Sequence, residues 1–187
     1  TSLKSRLIVA AIVLVLLGVA VAGSLLSLLM RRHIVSQFND ELIVHLEELQ
    51  RLSRVGPDGL LRLATPFSDP RYDVPGSGYY WQIDGGNHVP SQSPSLGGSR
   101  LSVPPDDAPD GHIHTHVIDG PTGRLLLAEQ TYQNPGNEKP LRYILGTDQR
   151  HIDSVIGRFD RMLVMTLGLV ALWMIATAVL LVVLALR

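Results

Sequence analysis

The chain has 187 residues, with 16 Lys or Arg against 17 Asp or Glu, and this near-neutral balance excludes a nucleic-acid binder that works through a basic patch. Cysteine is absent, which rules out a disulfide framework, a thiol nucleophile and a cysteine-ligated zinc site. Apolar residues make up 45% of the chain, and the excess is concentrated at its two ends.

Leu7 to Met30 carries no ionisable side chain. It exceeds the roughly 20 residues a helix needs to cross the ~30 Å hydrocarbon core of a bilayer, and it is too long for the core of a cleaved signal peptide. A retained membrane span is expected, with residues 1–30 as a cytoplasmic stub and first transmembrane helix. From Arg31 to Arg54 there is neither proline nor glycine, and Gly56-Pro57 then supplies a stop, so the helix is expected to continue past the membrane surface. Within it Val35, Phe38, Leu42, His45, Leu49 and Leu52 follow alternating steps of three and four. That spacing fits a coiled-coil seam between two protomers, or equally one broad apolar face packed on the chain's own domain. A second stripe of Ile34, Ile43 and Leu46 suits packing against a sheet. His45 reads as a partly buried polar residue whose ring titrates in the neutral range when unperturbed.

After Pro57 the pattern changes to short strands. Leu60 to Ala64 alternates weakly. Arg71 with Asp69 and Asp73 reads as a surface charge cluster. Tyr79, Tyr80, Trp81, Gln82 and Ile83 form an aromatic-rich strand, followed by the hairpin signal Asp84-Gly85-Gly86-Asn87. Tyr79, Tyr80, Trp81 and Gln82 are candidates to line a small-molecule pocket, with alternation sending Tyr79 and Trp81 to one face and Tyr80 and Gln82 to the other; a purely core role is the plainer alternative. Gly85 to Gly111 reads as a long loop, functional or mobile.

His112 to Ile118 alternates as a strand, placing His112, His114 and His116 on one face near Asp106, Asp107, Asp110 and Asp119. These imidazoles are the candidate metal ligands or proton sensors, against the plain reading of a solvated strand face. Positions two apart on a strand stand about 6–7 Å apart, which is wide for one ion. Asp119 to Gly123 turns the chain into Arg124 to Tyr132, and Pro140 precedes a strand from Leu141 to Gly146. Thr147 or Asp148 caps a last helix, in which Ile152, Val155, Ile156, Phe159 and Leu163 fall at helical spacing. It runs into Met162 to Leu186, a second stretch without ionisable side chains.

The implied layout is α+β: an antiparallel sheet with a long N-terminal helix at 31–161, between spans at 1–30 and 162–187. Lys4, Arg6 and Arg187 place both ends in the cytoplasm. The middle is mildly acidic, and no Asn-x-Ser/Thr sequon occurs, consistent with a bacterial source. No cofactor motif stands out, since neither Gly85-Gly86 nor Gly97-Gly98 opens a helix.

Pro75-Gly76-Ser77-Gly78-Tyr79-Tyr80-Trp81-Gln82-Ile83 resembles the extracytoplasmic region of a group of bacterial two-component sensor histidine kinases. Ser93-Pro94-Ser95-Leu96 and Ile152-Asp153-Ser154-Val155-Ile156-Gly157-Arg158-Phe159 resemble two further elements of that group, in the same order. Gly97-Gly98 stands where the group often has a Trp-Asp pair. The resemblance implies a PAS-like sensor in the bacterial inner membrane, with residues 31–161 periplasmic, working as a homodimer on an unknown small-molecule, metal or proton signal. It also implies a HAMP linker, a cytoplasmic kinase core and a response regulator as downstream partners. No phosphoacceptor box and no ATP lid occur within this sequence, so the segment itself is expected to be no enzyme, and His151 is no phosphoacceptor. The alternatives are a membrane-anchored assembly or scaffold protein, and a chemoreceptor- or cyclase-type sensor module.

Overall fold

The computed structural model describes residues 3–185 apart from 59, 86–89, 105–110 and 134–139. The chain divides into two compact units, one of residues 1–34 with 154–187 and one of residues 35–153. Two helices contribute to both: α1 (Leu3–Leu52) and α2 (Gln149–Ala185).

In the first unit, α1 and α2 pack antiparallel. Ser27 Oγ donates to Asp160 Oδ1 at 2.7 Å, and Arg31 lies 3.6 Å from Asp160 Oδ2. A Cβ on Gly23 would stand 2.8 Å from Leu167 Cδ1, so glycine here lets the helices approach closely. Both helices are long and apolar enough to cross a membrane. Their large apolar side chains point outward: Leu14, Val164 and Leu169 are each 71% exposed.

The second unit is an α+β domain. Strands β1 (Ser53–Val55) and β2 (Leu61–Leu63) form a small antiparallel pair directly after α1. The main sheet is antiparallel and contains β3 (Tyr79–Gly85), β4 (Ser91–Gln92), β5 (Ile113–Gly120), β6 (Gly123–Tyr132) and β7 (Leu141–Asp148). Its spatial order is β4-β3-β7-β6-β5, so β5, β6 and β7 follow as hairpins while β3 pairs with the last strand. Tyr79 sits opposite Thr147, and Gly85 opposite Leu141. At that end a Cβ on Gly85 would lie 2.0 Å from the Pro140 carbonyl oxygen, and φ there is +91°, so only glycine fits.

The period of two sorts the sheet residues into two cores. Tyr79, Trp81, Ile83, Ala128, Tyr143 and Leu145 meet Leu42, Leu46 and Leu49 of α1. On the opposite face Tyr80, Leu125, Leu127 and Ile144 are covered by Leu96, Leu101 and Val103. The segment expected as a bare loop after Gly85 therefore supplies the lid of a second core, and it contains β4 and a short 3-10 turn at Pro94–Leu96. Ser93 and Ser95 anchor it: Ser93 Oγ accepts from Trp81 N at 3.1 Å, and Ser95 Oγ donates to the Tyr79 carbonyl at 2.6 Å.

Helix α1 stops two residues short of its expected end. Ser53 Oγ donates back to the Gln50 carbonyl, and Ser53 to Val55 leave the helix to pair with β2. At the start of α2 the buried Asp148 is the cap, with Oδ1 accepting from Arg150 N at 2.8 Å.

Candidate functional site

Residues 41, 45 and 48 lie on one face of α1, four and three positions apart, and carry Glu, His and Glu. Facing them is a 3-10 turn at Pro70–Asp73, capped by Asp69, whose Oδ1 accepts from Arg71 N at 2.9 Å. Proline at the first turn position sets the backbone, and Asp69 satisfies its free N–H, so the cap carboxylate is held against α1.

This brings five charged or titratable side chains together. His45 Nδ1 stands 3.3 Å from Glu48 Oε2, while His45 Nε2 is 3.8 Å from Glu41 Oε1 and 3.9 Å from Asp69 Oδ2. Arg71 Nη2 bridges Glu41 Oε1 at 2.7 Å and Asp69 Oδ2 at 2.5 Å. Its guanidinium carbon lies 4.0 Å from the centre of the Tyr79 ring, a cation–π geometry. Below the charges the rings of Phe67, Tyr72 and Tyr79 succeed one another at 4.7 and 5.8 Å, and His45 lies 5.5 Å from Phe67.

The electrostatics follow from this packing. Burial alone would raise the Glu48 carboxyl, but hydrogen bonds from the Ser68 hydroxyl and amide and from His45 hold it below the usual carboxylate range. Asp69 is likewise half-buried, and its bonds with Arg71 outweigh desolvation and lower it. The Arg71 guanidinium is pushed further up by Asp69 and Glu41 against the cost of burial. Burial raises the Tyr72 phenol well above its ordinary value. Among the described residues, Glu41, His45 and Asp69 are the one set of three ligand-type side chains whose donor atoms lie within 4.8 Å of one another.

The residues singled out from sequence fall elsewhere. His114 and His116 do share a face, with ring centroids 6.4 Å apart and nearly parallel. That separation is the rise of two strand residues, and His116 Nε2 is engaged by the buried Glu129 at 2.9 Å. His112 lies just before β5. The strand therefore keeps these imidazoles apart instead of converging them on one ion. Asp106, Asp107 and Asp110 lie outside the described residues.

Tyr79, Tyr80, Trp81 and Gln82 are all buried, and packing occupies them. Tyr80 is hydrogen-bonded to Thr122 at 3.0 Å, and the Gln82 amide exchanges bonds with the backbone of Leu101. Tyr79 alone reaches the charged cluster, as the platform under Arg71. Of the helix seam, Leu42 and Leu49 are 2% and 0% exposed within a single chain, so the chain's own sheet takes them out of reach of a second protomer. Leu52 packs on the same core, Phe38 is half-buried and His45 faces the charge cluster, which leaves Val35 as the exposed member.

Asp69 and Arg71 belong to this partly buried network and not to a loose surface cluster, because the 3-10 turn folds them onto α1. The Glu41-x3-His45-x2-Glu48 spacing was the available signal for the site. The two partners on the turn have none, since only the tertiary fold brings them close. No protein-family model, curated protein or solved structure matches this chain.

Proposed function

We propose that the chain is the sensing and membrane-anchoring module of a two-component sensor histidine kinase. In this reading residues 31–161 form a PAS-like domain on the periplasmic side of the bacterial inner membrane, and two copies associate. A kinase core and its response regulator act through sequence beyond Arg187. The observation that supports it is the course of the two long helices: each is one element that belongs both to the apolar unit and to the α+β domain. A helix with unbroken hydrogen bonding carries a shift or rotation along its length better than a loop does, and a stimulus has two such rods to act on. To signal, the stimulus must bind the two states of the module unequally, and a coupling of ~1–3 kcal/mol is typical. The resemblance of the 75–83, 93–96 and 152–159 segments to sensor kinases supplies the output.

Reading the gene beyond the codon for Arg187 tests this directly. A HAMP linker followed by a histidine phosphoacceptor helix is expected; a short tail with no catalytic domain would replace the sensor with a membrane-anchored scaffold.

A further inference from the structure

We propose that Glu41, His45 and Asp69 form a binding site for a divalent transition-metal ion of the zinc class, and that Arg71 occupies the site as an internal cation until the metal displaces it.

Four observations carry this. The first is the donor set: one imidazole nitrogen and two carboxylate oxygens from two elements, all within 4.8 Å. Zinc with bonds near 2.0–2.1 Å needs tetrahedral ligands ~3.3 Å apart, so the donors must close by at most about 1.5 Å. Glu41, with its side chain 42% exposed, has the freedom to supply most of that.

The second is the support behind the ligand. His45 Nδ1 stands 3.3 Å from Glu48 Oε2, and Glu48 is itself fixed by the amide and hydroxyl of Ser68 at 2.9 and 2.7 Å. With Nδ1 on Glu48, the other ring nitrogen, Nε2, faces Glu41 and Asp69. A carboxylate behind a metal-binding imidazole sets its tautomer and raises its basicity in the same way.

The third is the cation already there. Arg71 Nη2 bonds the same two oxygens that face His45 Nε2, Glu41 Oε1 and Asp69 Oδ2. A divalent ion takes those oxygens with twice the charge and can coordinate the imidazole nitrogen as well. When displaced, Arg71 keeps the Tyr79 ring as a resting place.

The fourth is Thr147. Its hydroxyl is 1% exposed and has no hydrogen-bond partner among the described residues, and it lines a gap of about 10 Å³ together with Glu41, Tyr72 and Tyr79. A gap of that size holds about one water. Glu41 borders both this gap and the donor set, so the buried hydroxyl and any water it holds lie beside one of the ligands.

As the stimulus site of the sensor this proposal rests on the functional reading above; as a binding site it does not. The test is calorimetric titration of the whole chain in detergent with zinc chloride alone. One site is expected, with Glu48→Gln weakening it ~10–100-fold through the supporting shell. His45→Ala and Glu41→Gln should weaken it at least as much, and Arg71→Gln should tighten it. The triple change of His112, His114 and His116 to Ala should leave it unaltered. The Glu41 side chain is 42% exposed, so its variant retains the fold if His45→Ala does not, and circular dichroism checks both. Zinc affinity unchanged in Glu41→Gln, affinity lost in the triple variant, or weaker binding in Arg71→Gln would each overturn the proposal. Binding as predicted, without any change in the output of the full-length protein, would keep the site and overturn its role as the stimulus site of the sensor.

Discussion

The two units of this chain use the same apolar residue types in opposite ways. In the α+β domain Leu42, Leu46 and Leu49 are 2%, 0% and 0% exposed, closed against a sheet. In the helix pair, Leu14, Val164 and Leu169 present most of their surface outward, and Ala171 is one of the few side chains buried there. Water accepts the first arrangement and penalises the second at about 25 cal/mol per Å² of apolar surface. The outward face of the helix pair suits an apolar surrounding, in keeping with two helices long and apolar enough to cross a membrane. The domain needs no such help, because it buries its apolar residues within itself. Polar contacts divide in the same manner: the helix pair has Ser27 and Arg31 on Asp160, whereas the domain has the network around His45 and buried Glu129 held by Arg142.

The largest expected effect breaks the comparison at its centre. Leu49→Ala should destabilise the domain by about 2–5 kcal/mol, since the cavity it leaves is enclosed by core. Leu169→Ala, a change of the same chemistry, should leave the unfolding midpoint of the domain in detergent close to its original value. Equal losses for the two would mean that the outward face of α2 is covered by protein.

Acid should weaken the domain next. Asp148 is lowered: bonds from Arg150 and from Thr122 outweigh its burial. Glu48 and Asp69 are lowered too. A carboxyl with a depressed folded value contributes stability that is complete above its unfolded value and disappears as pH falls through the folded one. Thermal unfolding of the domain should therefore be insensitive to pH near neutrality and move to lower temperature on acidification below the ordinary carboxyl range. A midpoint that rises there would refute the assignment of these three groups.

The smallest effect sharpens the other side. Arg31 and Asp160 are both partly exposed, and such pairs contribute about 0–1 kcal/mol. Asp160→Asn should therefore leave domain stability unchanged to within that margin. It should loosen the contact between α1 and α2, read as weaker crosslinking between cysteines placed at Gly23 and Leu167.

Much of this was legible before the structure. Runs without ionisable residues marked both apolar helices, because an uncompensated charge is costly in hydrocarbon. Aromatic-rich composition located β3, alternation located β5, turn residues and Pro140 located β6 and β7, and Asp148 was one of the two named caps. What escaped was non-local. Ser53 to Val55 has no strand character of its own and becomes β1 only because β2 is beside it. The 93–103 segment looked like loop because its Leu96 and Leu101 are isolated in sequence, and each is buried only against the sheet. The charged site depended on a turn roughly twenty residues beyond α1 folding back onto it, a contact that helical spacing does not encode. The helix seam had two readings from spacing alone, and the burial of Leu42 and Leu49 goes with the packed face.

The position of β7 has a consequence for how the protein is made. It lies between β3 and β6 and leads straight into α2, so the central strand of the sheet is also the last to be synthesised. Until then β3 waits with one long edge unpaired while roughly sixty further residues emerge, a state open to wrong pairing and aggregation. The closing strand and the second apolar helix then leave the ribosome almost together, which ties completion of the sheet in time to the emergence of that helix.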